Sequence, residues 1–388
     1  MRTKRIYLLT TVLLLLASCT RQKMIDNVIV VNVENNYPKK EYILQDIANV
    51  EYVKLENKEE FVTKGIVRSV SQNYIATFNG GRDGDIFLFD RSTGKAIRKF
   101  NHLGQGGEDY TMLTDIVLDE DNGEIFVIAY NARKIQVYNL LGDYIRTLKF
   151  EGESYYNFIY NYDEKHLIVY KGYSPQKETE RSGHILISKK DGSVVRKFQH
   201  PYEEIATPVF SGMHEKYGEI TLTPLHYLNL YADESWVLTR PSCDTIYSYK
   251  GYEEPRPYII REPSIHSMDT QVFLYPVADM DNHCFMYTQK KEVDMKTFKG
   301  FPTTELVYDK MEKAIYESTV YNGDIIDGKP ISMINEPRNN NVLFCISLEA
   351  VDLLELLQEN KLKGSLKTIA ETLDSEDNPV IMIVTLKK

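Results

Sequence analysis

The sequence predicts an all-β chain folded as a six-bladed β-propeller, with a C-terminal amphipathic helix inserted before the closing strand. Three observations predict it. A strand–turn–strand cassette recurs at a spacing near 50 residues, Tyr and Phe are abundant, and each chain end carries a strand pattern with no local partner. The 28 Tyr and 15 Phe against a single Trp favour strands, since aromatic side chains suit a pleated, half-buried surface.

The chain opens with a segment that is no part of that fold. Arg2, Lys4 and Arg5 make a basic start, Ile6 to Leu16 an apolar run, and Leu16-Ala17-Ser18-Cys19 a small-residue close. These are the three parts of a secretory signal peptide, placed at residues 1–18. The apolar run of 11 residues is short of the roughly 20 that cross a bilayer as a helix. Leu16-Ala-Ser-Cys19 resembles the lipobox of bacterial lipoproteins. That resemblance implies cleavage before Cys19 and a diacylglycerol on its thiol, so Cys19 is the expected lipid-attachment residue and the membrane an expected partner.

Residues 19–42 are polar with scattered apolar positions and are expected to form a tether. From residue 43 to 388 the pattern is that of the propeller. The cassette appears as Asp85-Ile-Phe-Leu-Phe-Asp90 with Ala96-Ile-Arg-Lys-Phe100, then as Ile135-Gln-Val-Tyr-Asn139 with Tyr144-Ile-Arg-Thr-Leu148, then as Ile185-Leu-Ile-Ser-Lys189 with Val194-Val-Arg-Lys-Phe198. Each pairs an alternating strand with a turn and a second strand that carries a basic residue. Weaker copies are Ile246-Tyr-Ser-Tyr-Lys250 and Leu306-Val-Tyr-Asp309 with Ala314-Ile-Tyr316. From Asp90 the copies are spaced by 49, 50, 61 and 59 residues, a period that marks a repeat architecture. One strand with its turn takes roughly 8–12 residues, so each unit holds about four strands. Sheets of four strands repeated radially make a propeller. The sixth blade is expected to be composite, with Val342-Leu-Phe-Cys-Ile346, Pro379-Val-Ile-Met-Ile-Val-Thr-Leu386 and Val50-Glu-Tyr-Val-Lys-Leu55 closing the ring from both chain ends.

Between those late strands a helical insertion is expected at about 348–373. Ser347 is placed as its N-cap, with Glu349 and Asp352 favoured in the first turn by the helix dipole. Ala350, Leu353, Leu354 and Leu357 share one face, and Leu366, Ile369, Ala370 and Leu373 form a second apolar set after Gly364. This stripe is expected to pack on its own domain.

With these elements in place, a family resemblance can be stated. Ile86-Phe-Leu-Phe-Asp90, Ile135-Gln-Val-Tyr-Asn139, Leu103-Gly-Gln-Gly-Gly-Glu-Asp-Tyr110 and Asp377-Asn-Pro-Val-Ile-Met-Ile-Val384 resemble segments of the six-bladed β-propeller lipoproteins of Bacteroidetes, distantly similar to NHL-repeat propellers. The glycine segment is similar to a Gly-x-Gly-Pro-Gly-Glu turn between blades, with Gly107 where proline is usual. The resemblance implies fold and outer-membrane location, and no particular chemistry, because a fold hosts many functions.

No catalytic, cofactor-binding or metal-binding residue is assigned from sequence. Gly104-Gln-Gly-Gly107 lacks the Lys-Ser/Thr of a phosphate loop. Asp119-Glu-Asp-Asn-Gly-Glu124 has calcium-loop composition, but its glycine stands fifth and no Glu stands twelfth, so a hairpin is expected there. His214-Glu215 lacks a second His. After Cys19, three cysteines remain, Cys243, Cys284 and Cys345, which allow at most one disulfide. The formal charge is −10, and −13 once residues 1–18 and their three basic residues are removed, which excludes phosphate-directed nucleic-acid binding.

Two functions follow from this reading. One is a non-catalytic ligand-binding or protein-interaction module, taking a glycan, peptide or protein in the propeller funnel, with Tyr-rich loops such as Tyr155–Tyr162 offering stacking surfaces. The alternative is a hydrolase or lyase using a metal, such as Ca²⁺, in the central channel. The neutral-to-basic Thr20-Arg-Gln-Lys23 favours a periplasm-facing site on the outer membrane.

Overall fold

The computed structural model describes residues 28–152, 155–171, 183–198, 204–224, 229–232, 235–251, 253–338 and 341–387; the side chains of 157, 158, 229 and 232 are left aside. The expected signal peptide and Cys19 lie outside these residues. Three meander sheets come first. Blade 1 runs through Ile66–Val70, Tyr74–Phe78, Asp85–Asp90 and Ala96–Asn101, blade 2 through Asp115–Asp119, Glu124–Ala129, Lys134–Asn139 and Tyr144–Lys149, and blade 3 through Tyr156–Asn161, His166–Lys171, Gly183–Ser188 and Val194–Phe198. Every cassette of the sequence is therefore the third and fourth strand of a blade.

Blade 4 (Asn229–Ala232, Ser235–Leu238, Thr245–Tyr249, Arg256–Glu262) and blade 5 (Val272–Asp279, His283–Lys290, Thr303–Asp309, Ala314–Tyr321) each gain a fifth strand. Ile29–Asn32 adds in parallel to the outer edge of blade 4, and Lys39–Ile43 in parallel to that of blade 5. This corrects the expectation of a tether reaching to residue 42. Val31 is fully buried, and Lys40 reaches Asp309 at 3.0 Å and Glu312 at 2.8 Å, so the segment covers two sheet edges.

Blade 6 is composite, as its patterns predict. Val380–Leu386 is flanked by Val342–Leu348 on one side and by Ala48–Lys54, from the start of the chain, on the other. The stretch just before Val342 supplies its inner rim: Arg338 N donates to Val342 O at 3.1 Å, and Arg338 O accepts from Val70 N of blade 1 at 3.5 Å.

Closure of the ring shows in the core. Among the described residues the buried apolar side chains form six clusters, one for each junction between neighbouring blades. The junction of blades 6 and 1, for example, holds Val53, Ile381 and Ile383 against Phe87 and Phe89. That of blades 5 and 6 also takes in the helices.

The helical insertion is two short helices, α2 (Ala350–Gln358) and α3 (Gly364–Ala370), with a four-residue α1 (Leu44–Ile47) earlier in the chain. Asn360 and Gly364 adopt left-handed φ of 55°, which ends one helix and opens the next. Ser347 is not the N-cap: it belongs to the strand, pairs with Ile381 and donates to Gly65 O, and Glu349 caps α2 without a side-chain bond. The apolar stripe packs inward, with Leu353, Leu366 and Ala370 buried against blades 5 and 6.

Candidate functional site

The inner segments of blades 1, 2, 3 and 6 bring a polar cluster together. Arg68 sits within the inner strand Ile66–Val70, Asp115 opens Asp115–Asp119, Tyr160 lies near the end of Tyr156–Asn161, and the rim of blade 6 adds Glu336 and Arg338. Glu336 is the hub. Its Oε2 accepts from Arg338 Nη1 at 2.7 Å with Arg68 Nη1 at 3.7 Å, and its Oε1 accepts from Tyr160 Oη at 3.2 Å. The Arg68 guanidinium lies over Phe78 at 4.5 Å, a cation held against a ring face. Asp115 receives the amide of Ile116 at 2.9 Å. Burial, helped by the charge of Glu336 and opposed by Arg68 and Arg338, pushes its carboxyl up to about 7. Burial raises the Tyr160 phenol as well. The cavity among these side chains measures about 10 Å³. That is close to the least that one water occupies, so the inner segments of these four blades pack closely against one another there.

Beyond this cluster one face of the propeller opens into two adjoining hollows of about 790 and 630 Å³, which share Arg91, Asn341 and Val342. Turns between first and second strands and between third and fourth strands line them. Arg91 is fixed by Glu51 at 2.9 Å and by Ser71 O at 2.9 Å. One hollow has an acidic wall of Glu120, Asp121, Asp163 and Glu164. Below that wall Asp119 and Lys189 make a buried ion pair of 2.7 Å that joins blades 2 and 3. Burial tends to raise the Glu120 carboxyl, but hydrogen bonds from Ser71, Asn73 and Gln72 outweigh it and hold the group below the usual range. In the other hollow Asp279 accepts from Tyr258 and pairs with Lys310 at 2.7 Å. Among the described residues no three His, Cys, Asp or Glu side chains converge as a metal-ligand set.

The sequence motifs divide between this face and the blade junctions. Asp119–Glu124 is the expected hairpin of blade 2, with Asn122 Nδ2 donating to Asp119 Oδ2 at 2.8 Å. The Gly104–Gly107 segment clasps blade 1 to blade 2: Gln136 Nε2 donates to Gly107 O and Asp109 O at 2.9 Å, and Tyr110 Oη to Gly84 O at 2.6 Å. The Tyr155–Tyr162 segment is not a stacking loop. Tyr156–Asn161 is the inner strand of blade 3, and Tyr156, Tyr160 and Tyr162 are buried in the junctions on either side, leaving only Tyr155 of the segment's described tyrosines exposed. Cys243, Cys284 and Cys345 are all free thiols. Arg68, Asp115, Glu336 and Arg338 went unmarked in the sequence, where the one signal was a charge inside an otherwise apolar inner strand.

Comparison with known proteins gives the fold a family context. The family described as a domain of unknown function, DUF4934, matches residues 28–385. No curated protein matches the chain. Among solved structures, a Bacteroides fragilis protein provisionally classed as exported superposes with a TM-score of 0.58 at 12% identity, covering 93% of this chain and 99% of that one. A member of the DUF4221 family from Bacteroides vulgatus aligns over 89% of this chain and 99% of its own at 11% identity, with a TM-score of 0.40. The first of these likenesses shows the propeller fold.

Proposed function

Because the chain belongs to the DUF4934 family, whose match takes in every blade, we propose that it is an exported, lipid-anchored propeller of the Bacteroidetes NHL-like type that binds a glycan, peptide or protein ligand in the mouth of its funnel without transforming it. The observation that carries this is the wide, polar mouth formed by the blade turns. Hollows of about 790 and 630 Å³ are large enough for a sugar chain or an extended peptide. Anchoring rests on Leu16-Ala-Ser-Cys19, and export gains support from the Bacteroides fragilis neighbour. The neutral-to-basic residues after Cys19 favour the periplasmic side of the outer membrane.

Glycan and peptide arrays probed with the mature protein test the binding reading. At least one ligand class is expected to bind, and Asp121→Lys with Glu164→Lys, both exposed on the acidic wall, to change that signal by about ten-fold or more. Arrays without signal above background would remove the proposal.

A further inference from the structure

The amino-terminal end of the described chain enters the fold at the rim of the mouth. Ile29–Asn32 runs parallel to Arg256–Glu262, with Ile29 opposite Ile259 and Asn32 opposite Glu262. Arg256–Glu262 is the fourth strand of blade 4 and leaves a third-to-fourth turn, which faces the mouth, so Ile29 lies toward the mouth and Asn32 away from it. Val28 and Ile29 line a surface hollow of about 380 Å³ together with Lys313, in the third-to-fourth turn of blade 5. The same turn carries Lys310 into the larger mouth hollow. Charge divides the two mouth hollows. The smaller sets Glu120, Asp121, Asp163 and Glu164 against Arg91, its Lys189 being taken up by Asp119. Asp121 and Glu164 stand exposed on that wall. The larger reverses the balance, with Arg91, Lys310 and Lys387 against Asp279 and Asp281.

We propose that the mouth is turned toward the bilayer that holds Cys19, and that its ligand is a basic peptide segment standing out of that bilayer from a membrane-embedded protein; this rests on the anchored, ligand-binding reading given above. Length decides the orientation. The nine residues from Thr20 to Val28 reach at most about 30 Å. The longest blade strands have eight residues and stand about 26 Å tall. With the mouth toward the bilayer, the leash starts at the near rim and its whole length is free to set the gap. With the opposite face toward the bilayer, the chain would first have to pass the height of a blade, and almost none of its reach would be left. Charge decides the class of ligand. The acidic hollow repels phosphate headgroups, and a neutral sugar offers Asp121 and Glu164 no opposite charge, whereas Lys or Arg side chains pair with both. A partner held in the same membrane also meets the mouth at raised effective concentration, so individually weak ion pairs suffice.

The test uses the lipidated full chain in vesicles of phosphatidylcholine and phosphatidylethanolamine, some carrying a dansyl headgroup. Met311→Trp places a reporter in the third-to-fourth turn of blade 5, on the mouth rim, and Met213→Trp one in the connection between blades 3 and 4, on the opposite face; the two sites are 76% and 75% exposed, and the buried Trp236 is common to both variants. Energy transfer to the dansyl lipid is expected to be at least about two-fold stronger from Met311→Trp, because about 26 Å of blade separates the faces. Equal transfer, or stronger transfer from Met213→Trp, would overturn the orientation. For the ligand, the probe is a dansyl-labelled peptide of alternating Lys and Ser, offered free or tethered to unlabelled vesicles by a palmitoyl chain. Tethering is expected to lower the concentration that half-saturates Met311→Trp transfer by about ten-fold or more. A tethered peptide of alternating Glu and Ser is expected to need at least about ten-fold more than its Lys counterpart. No gain from tethering, or equal response to both peptides, would overturn the membrane-presented basic ligand. Equal fatty-acid labelling of the wild type and Cys19→Ala would instead overturn the anchored reading beneath it.

Discussion

Asp115 sits where the inner segments of four blades meet, and its carboxyl titrates near 7 in the folded protein against about 3.9 in an unfolded chain. Between those values the folded state binds more protons than the unfolded one. Stability tied to this group is therefore fully present below about pH 4 and is lost as pH rises through about 7. Asp115→Asn keeps the shape and the contact to Ile116 N. Denaturant unfolding at pH 5 and pH 8 is expected to show the wild type losing about 1–3 kcal/mol more than the variant across that interval. Equal losses would mean that Asp115 does not titrate there. The residues of this cluster were individually visible in the sequence, and their meeting was not. Arg68 interrupts an apolar strand and Asp115 opens one, but Glu336 and Arg338 come from a stretch with no strand pattern, hundreds of residues away in the chain. Only ring closure puts them together.

At the scale of elements, the basic residue in each cassette has a physical explanation. In the fourth strands of blades 1, 2 and 3 an arginine occupies the same place, and each donates to a carbonyl in the third-to-fourth turn of the next blade. Arg98 reaches Leu141 O at 2.8 Å, Arg146 reaches Lys189 O at 2.6 and 3.0 Å, and Arg196 reaches Glu253 O at 3.2 Å. The glycine of those turns is needed for a matching reason. A Cβ at Gly94 would lie 1.9 Å from Lys54 O, and one at Gly142 would lie 2.7 Å from the Phe100 ring, both at positive φ. The period of the sequence thus records contacts between blades, with each turn wedged against the outer strand before it. Arg146 also forks onto both Glu124 oxygens at 2.6 Å, whereas Arg98 donates from an exposed position. Arg146→Ala is expected to lower unfolding stability by about 1.5–3 kcal/mol and Arg98→Ala by less than about 1 kcal/mol, measured by denaturant titration. The reverse order would refute the repeat-clamp explanation. Where the periodic pattern was weak, elements were misjudged. The edge strands at 29–32 and 39–43 are short and parallel, and the break between α2 and α3 rests on backbone conformation at Asn360 and Gly364, which hydrophobic spacing does not register.

For the whole molecule, the number of blades and the means of closure were legible because both depend on counting and on unpaired end strands. The shape of the mouth was not, because turns from every blade build it. The ring makes one strand a keystone: Val380–Leu386 pairs on both sides, and Ile381 to Val384 are fully buried. Truncation after Asn378 is expected to abolish the cooperative unfolding transition seen by circular dichroism, because two blade junctions lose their central apolar contacts together. A cooperative transition persisting in the truncated chain would show that the remaining blades hold without the ring.

The placing of that keystone gives the protein a direction in time. Synthesis runs from the amino end, so Ala48–Lys54 emerges among the earliest strands and has no partner until Val380–Leu386, the last, has been made. Every blade in between can form its own hairpins while this early strand waits. A chain threaded outward in the same order would remain an open arc, with the facing sides of blades 5 and 1 uncovered, until Val380–Leu386 had passed through. Closure of the ring thereby reports that Val380–Leu386 has been made, and a copy ended before that strand would stay recognisably unfinished to any protease that reads exposed strands.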